Sequence, residues 1–232
     1  VSTYRKPSNF SNGLTFDDSV LLIVSMHLGR CISFECKDGK VNILVDSFEG
    51  KKLNSPNDVV VAKDGSILFT DPIYGLRPGN GGPAEQELDF QGIYRLLPDR
   101  QQLDLISKDF ERPNGLAFSP DEKYLYVDDT VRQHIRRFEV HPDWKFTGGQ
   151  VWAELWDDNY AARPDGMKVD TAGNLFSTGP GGLWVFNPQA ELLGRIFLPN
   201  KTSNLNWGDD DRRSLYITSS STVFRIRCKT RC

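Results

Sequence analysis

Apolar residues along this chain fall in short runs rich in β-branched and aromatic side chains, each closed by Gly, Pro, Asp or Asn. That pattern predicts strands joined by tight turns rather than helices. One phrase opens such a run five times: Ser11-Asn12-Gly13-Leu14, Pro56-Asn57-Asp58-Val59, Pro113-Asn114-Gly115-Leu116, Pro164-Asp165-Gly166-Met167 and Ser203-Asn204-Leu205-Asn206. The repeat length is roughly 40 to 60 residues, close to that of one propeller blade.

Four strands are predicted within each interval. The second repeat reads as Asp58 to Ala62, Ile67 to Thr70, Gly92 to Leu96 and Leu103 to Ser107; the third as Gly115 to Phe118, Tyr124 to Val127, Ile135 to Val140 and Gln150 to Leu155. The fourth reads as Gly166 to Val169, Leu175 to Thr178, Gly182 to Phe186 and Leu192 to Leu198. The last repeat supplies only three strands, ending with Thr222 to Cys228, while Val1 to Arg5 reads as an outer strand left from a preceding blade. The expected fold is therefore all-β: one domain, a six-bladed β-propeller with most of the first blade and the closing strand absent from residues 1–232. An open ring would leave unpaired strand edges, so residues upstream of Val1 or a partner chain are expected to supply the rest.

Composition narrows the function classes. A net charge of −3 offers no basic footprint for nucleic acid. The longest apolar stretch, Val20 to Val24, is too short to span a bilayer, and no signal peptide is legible, so a soluble, cytoplasmic protein is expected. Cys31, Cys36, Cys228 and Cys232 match no common zinc or redox spacing and are expected to be reduced, with Cys31 and Cys36 on or beside a strand as buried thiols. Three histidines, His27, His134 and His141, exclude a histidine-rich metal site, and the absence of Gly-x-Ser-x-Gly removes a serine-hydrolase elbow.

Longer phrases carry a family resemblance. Leu53-Asn54-Ser55-Pro56-Asn57-Asp58 with Phe69-Thr70-Asp71-Pro72-Ile73-Tyr74-Gly75-Leu76, then Arg112-Pro113-Asn114-Gly115-Leu116-Ala117-Phe118-Ser119-Pro120-Asp121 and Arg163-Pro164-Asp165-Gly166-Met167, resemble the gluconolactonase and regucalcin family in one continuous order. The resemblance implies metal-dependent hydrolysis of a sugar lactone or related lactone, with one divalent cation held by a Glu, one or two Asn and an Asp. Mapped onto this chain, the metal positions are Asn57, Asn114 and Asp165; the Glu, from the first blade, has no counterpart here. Calcium is the cation implied first, with magnesium, manganese and zinc as alternatives, and oxygen-only ligands suit the hard ions. Asp165 is also the implied catalytic group, orienting or deprotonating water; Asp58, which immediately follows Asn57, reads equally as a support for that ligand or as a turn or strand-start residue.

The repeated Asn and Asp, taken singly, are ordinary turn formers. Their recurrence in register, together with the match of three of them to the family's metal positions, favours ligands at Asn57, Asn114 and Asp165, while Asn12 and Asn204, which lack that match, read as fold-defining turns. His27 resembles a channel-side substrate contact, as does Asn57, and Ser55 is placed to meet a sugar hydroxyl or to serve the turn. His134 and His141 flank a strand read as blade exterior and are expected in solvent. The glycine-rich stretch from Arg77 to Asp89 is expected to be a loop that tunes substrate choice. A calcium-dependent phosphotriesterase-like hydrolase and a non-catalytic metal-binding scaffold stand as alternatives, and the oligomeric state is unspecified.

Overall fold

A computed structural model describes residues 2–36, 38–80, 82 and 84–232, in two compact units, Val1–Pro113 and Asn114–Cys232. In the first unit, β1 (Ser11–Phe16), β2 (Leu22–Met26), β3 (Cys31–Glu35) and β4 (Val41–Val45) form an antiparallel meander in chain order. A small ladder, β5 (Ser47–Phe48) and β6 (Lys51–Lys52), leads to a second meander of β7 (Val59–Val61), β8 (Ile67–Asp71), β9 (Gly92–Leu96) and β10 (Leu103–Ser107). Every residue of β8 and β9 is buried, as expected of central strands covered on both faces. Ile23 and Ile32 of the first sheet pack with Val59, Ile67, Phe69, Tyr94 and Leu96 of the second and with Leu53 from the connection. The Tyr94 ring centroid lies 5.3 Å from that of Phe69 and 5.2 Å from that of Phe48. Truncating Phe69 to Ala removes about 3–5 kcal/mol of such packing.

The second unit holds β11 (Pro113–Phe118), β12 (Tyr124–Asp129), β13 (His134–Val140) and β14 (Phe146–Glu154); then β15 (Met167–Val169), β16 (Leu175–Gly179), β17 (Gly182–Phe186) and β18 (Leu192–Phe197). A three-stranded sheet of β19 (Thr202–Gly208), β20 (Ser214–Ser219) and β21 (Thr222–Arg227) ends it. Neighbouring sheets share cores: Tyr126, Ile135 and Leu155 with Met167, Leu175 and Trp184, and Phe176 and Leu183 with Leu205, Trp207 and Ile217.

Successive up-and-down meanders packed face to face are the blades of an all-β propeller. Five such sheets are present among the described residues, one for each repeated phrase and one short of the six-bladed ring expected, and the last has the three strands expected. The remnant strand expected at Val1 to Arg5 is corrected: Val1 lies outside the described residues, and residues 2–5 form no strand. They are held by a side chain instead, since Arg5 pairs with Glu35 at 2.7 Å and donates to the Gly39 carbonyl at 2.9 Å. Among the described residues no helix is long and apolar enough to cross a membrane.

Candidate functional site

The repeated phrase occupies the start of the first strand of each sheet, where main-chain bonds tie one sheet to the next. Gly13 N–H donates to the Asn57 carbonyl at 2.7 Å in the first unit; in the second, Gly115 N–H donates to the Asp165 carbonyl at 2.9 Å and Gly166 N–H to the Ser203 carbonyl at 2.9 Å. The glycines are required by proximity. A Cβ on Gly13 would lie 2.5 Å from the Asn57 carbonyl oxygen, and one on Gly115 only 2.2 Å from that of Asp165. A second fastening comes from β8, β16 and β20. Thr70, Thr178 and Thr218 hydroxyls accept the N–H of Asp58, Asp165 and Asn204 at 3.2, 2.9 and 3.0 Å.

In the first unit, residues 53–58 have no regular structure yet are buried. Asn57 is 5% exposed, and its side-chain amide has no hydrogen-bond partner among the described residues. Asp58 accepts its neighbour's N–H, from Val59, at 2.9 Å. Ser55 is fully buried; its hydroxyl donates to the Pro72 carbonyl and accepts from Gly75 N–H at 2.9 Å, which commits it to holding the turn Tyr74–Leu76. A Cβ on Gly75 would sit 2.5 Å from His27 Cβ and 2.7 Å from Ser55 Cβ, so Gly75 lets these two side chains close on the turn. His27 follows β2, and its Nε2 lies 3.0 Å from the Asn12 amide nitrogen, which can only donate. That nitrogen is therefore an acceptor in a neutral ring. Burial holds the His27 pKa below its ordinary value, with the Asn80 main chain acting in the opposite direction.

In the second unit, Asn114 is buried, and its Nδ2 donates to the Thr130 hydroxyl at 3.0 Å, which donates in turn to the Pro164 carbonyl at 2.9 Å. This relay fixes which end of the Asn114 amide is the acceptor and couples it to the segment carrying Asp165. Asp165 is half-buried. The sequence reading passed over Asp128, fully buried on β12 where the other sheets place Thr70, Thr178 or Thr218. Its Oδ2 would lie 2.9 Å from a Cβ on Gly115, so it sits directly beneath the strand start that carries Asn114. Aligning Tyr126-Val127-Asp128 with Leu68-Phe69-Thr70 is the signal that exposes it.

Asn57 in the first unit, and Asn114 and Asp165 in the second, each offer oxygen rather than nitrogen or sulfur donors, the chemistry that hard divalent cations prefer. Asn57 is a buried residue of the first unit, and the Asn114 amide of the second is oriented by its bond to Thr130. No cluster of three His, Cys, Asp or Glu suited to a metal occurs among the described residues. His134 and His141, expected in solvent, are half-buried at the ends of β13; His141 Nε2 lies 2.7 Å from the Thr147 hydroxyl. Among the described residues of the Arg77 to Asp89 stretch there is no strand, as expected, although Leu88 is drawn into the core; Gly81 and Pro83 lie outside the described residues.

Gluconolactonase of Zymomonas mobilis subsp. mobilis is 39% identical over 197 residues, which cover 82% of this chain and 54% of the relative. The chain spans about half the length of the curated relatives it matches. A solved gluconolactonase from Xanthomonas campestris superposes with a TM-score of 0.88 at 38% identity, over 94% of this chain and 72% of that one. The calcium-binding protein regucalcin from Agrobacterium tumefaciens superposes with a TM-score of 0.76 at 16% identity, over 95% of this chain and 77% of that one, a likeness of fold alone. Residues 1–221 match the family described as the SMP-30/Gluconolactonase/LRE-like region, and the chain belongs to that family.

Proposed function

We propose that the intact protein hydrolyses a sugar lactone or related lactone and that it does so with one divalent cation, calcium foremost. The observation that carries the reading is the recurrence of an oxygen side chain, Asn57, Asn114 or Asp165, at the same place in three sheets, with Asn57 and Asn114 both buried residues. Relatives named gluconolactonase support the substrate class, and the calcium-binding neighbour supports the ion. A bound divalent cation supplies Lewis acidity, polarising the lactone carbonyl and stabilising the developing oxyanion. The residues of this chain supply the rest. Asp165, the one carboxylate of the set, orients a water molecule and accepts its proton. Neutral His27 presents a hydrogen-bonding edge to a substrate hydroxyl, Asn57 a carbonyl oxygen, and Ser55 shapes the wall through the Gly75 turn.

Chelation is expected to abolish lactone hydrolysis by the intact protein, and added calcium to restore it. Asp165→Ala is expected to lower kcat by about a hundredfold or more, the range of a lost general base. Asn57→Ala and Asn114→Ala lose less, and excess calcium offsets the loss. Asp165→Asn keeps an oxygen ligand without the proton acceptor, so it retains ion binding and not turnover. Full activity in chelator, or an unaffected Asp165→Ala variant, overturns the reading; turnover of a phosphotriester in place of aldonolactones reassigns the substrate.

The exposed apolar face of the first sheet supports one architectural inference: a sixth sheet and a fourth strand for the last sheet come from outside residues 1–232. Leu14 and Phe16 are 53% and 61% exposed there, beside a groove of about 410 Å³ lined by Tyr4, Leu22, Val24 and Met26.

A further inference from the structure

Residues 52–58 carry Asn57 and present a problem of backbone chemistry. They make almost no ladder, yet Leu53, Asn54 and Ser55 are fully buried, and buried N–H and C=O groups require partners. Two charged side chains supply them. Arg30, in the turn after β2, donates to the carbonyls of Leu53 at 2.6 Å, Asn54 at 3.2 Å and Lys52 at 3.4 Å. Asp71, the last residue of β8, accepts Asn54 N–H at Oδ2 at 2.8 Å, and Ser55 N–H also favours its charge. The Asn54 side chain completes the join, donating to the Asp71 and Phe90 carbonyls at 3.0 and 2.9 Å. The segment is thus gripped from its carbonyl side by a cation and from its N–H side by an anion, three residues before Asn57.

Asp71 is entirely buried, and among the described residues its Oδ1 has no hydrogen-bond partner, nor have the nearby Asn54 Oδ1 and the Tyr94 hydroxyl of β9. A proton added at Oδ1 therefore breaks no existing bond, while it removes the negative charge that faces the two N–H groups. We propose that Asp71 is a positioning residue: its ionised carboxylate, with Arg30 opposite, fixes segment 52–58 and aims the Asn57 amide, and one proton on Asp71 relaxes that grip. Burial raises its pKa to about 7, with the N–H groups of Asn54 and Ser55 and the Arg30 charge pulling it down. The other groups facing this cluster are Tyr94, raised by burial and by Asp71; Glu49, which acts on Tyr94; and Glu87, 3.4 Å from Arg30 and bonded to Lys52 N–H.

The titration is read on the unmodified protein by NMR, following the main-chain amides of Asn54 and Ser55 and the side-chain amide of Asn57 across neutral pH. All three are expected to share one midpoint, near about 7. A midpoint in the ordinary carboxylate range, or an Asn57 amide that does not respond, overturns the proposal. The link to function rests on the divalent-cation reading and is tested apart from it: Asp71→Asn, which can keep an oxygen toward the Asn54 N–H but loses the negative charge, should abolish the shared titration and weaken calcium binding by about tenfold or more in calorimetry, the usual effect of losing a ligand's support. Protein that shows the shared midpoint but binds no calcium refutes the cation and retains the clamp. Asp71→Asn protein that binds calcium as tightly as the unmodified chain refutes the clamp. Where that variant does not fold, the titration of the unmodified protein decides.

Discussion

A carboxylate that burial holds near neutrality stays protonated in the folded chain over a pH range where the unfolded chain has already ionised. For Asp71 the folded value is about 7 against 3.8 for the free group, so between these the native state binds more protons. Stability must then fall as pH rises through that window and level off above it, a change on the order of 4 kcal/mol at most. Urea unfolding at about pH 5 and about pH 8 should resolve it, and Asp71→Asn should flatten the difference. Cys31 offers a second test at this scale. It is fully buried, and burial together with Asp46 pushes its thiol up to about 11, whereas Cys232 is exposed. Iodoacetamide should therefore label Cys232 in the native protein and reach Cys31 only on unfolding; equal labelling rates would contradict the burial. Asn57, Asn114 and Asp165 stand out as candidates because each sits inside a repeated phrase. Arg30, Asp71 and Asp128 do not, because their roles come from contacts across tens of residues that no local pattern encodes.

Elements were legible wherever apolar runs met a turn residue. Gly92 to Leu96, Leu103 to Ser107 and Gly182 to Phe186 fold as read, and the last sheet has its three strands. The misses have identifiable causes. The expected strand began at Gln150; instead Gly148 and Gly149 adopt φ of +82° and +77°, the ladder register shifts beside them, and β14 continues back to Phe146. They form a bulge rather than an end. The β5–β6 ladder went unread because Glu49-Gly50, at φ +49° and +77°, makes its tight turn with little flanking pattern. Glycines at strand starts support a sharper prediction. Gly115→Ala forces a Cβ to 2.2 Å from main-chain oxygen, which cannot yield as a flexible side chain can, whereas Gly194→Ala on β18 meets nothing within 4 Å. Denaturant unfolding should show a loss of about 1–3 kcal/mol or more for the first. The second should be neutral or gain about 0.4–1 kcal/mol. A tolerated Gly115→Ala would mean that the Gly115 to Asp165 bond does not set the sheet spacing.

At the scale of the whole molecule, the same rule that builds each core identifies where one is unfinished. Ile23 and Ile32 of the first sheet are buried against the second, while on its other side Leu14 and Phe16 alternate outward into solvent, and Val223 is 65% exposed on the edge strand β21. Large apolar side chains repeated on one face of a strand belong against another layer. Context therefore decides what Phe16 is worth. Within residues 1–232 alone, Phe16→Ser removes a side chain already 61% exposed and should change stability by no more than about 0.5 kcal/mol. In the intact protein, if a further sheet covers that face, the same change removes a buried aromatic and should cost about 3 kcal/mol or more. Paired urea titrations of the two lengths, each with and without the substitution, measure the difference directly. An equal, small effect in both would mean that the face stays in water and that five sheets are the whole of the propeller; a large effect only in the longer chain would place a sixth sheet against β1.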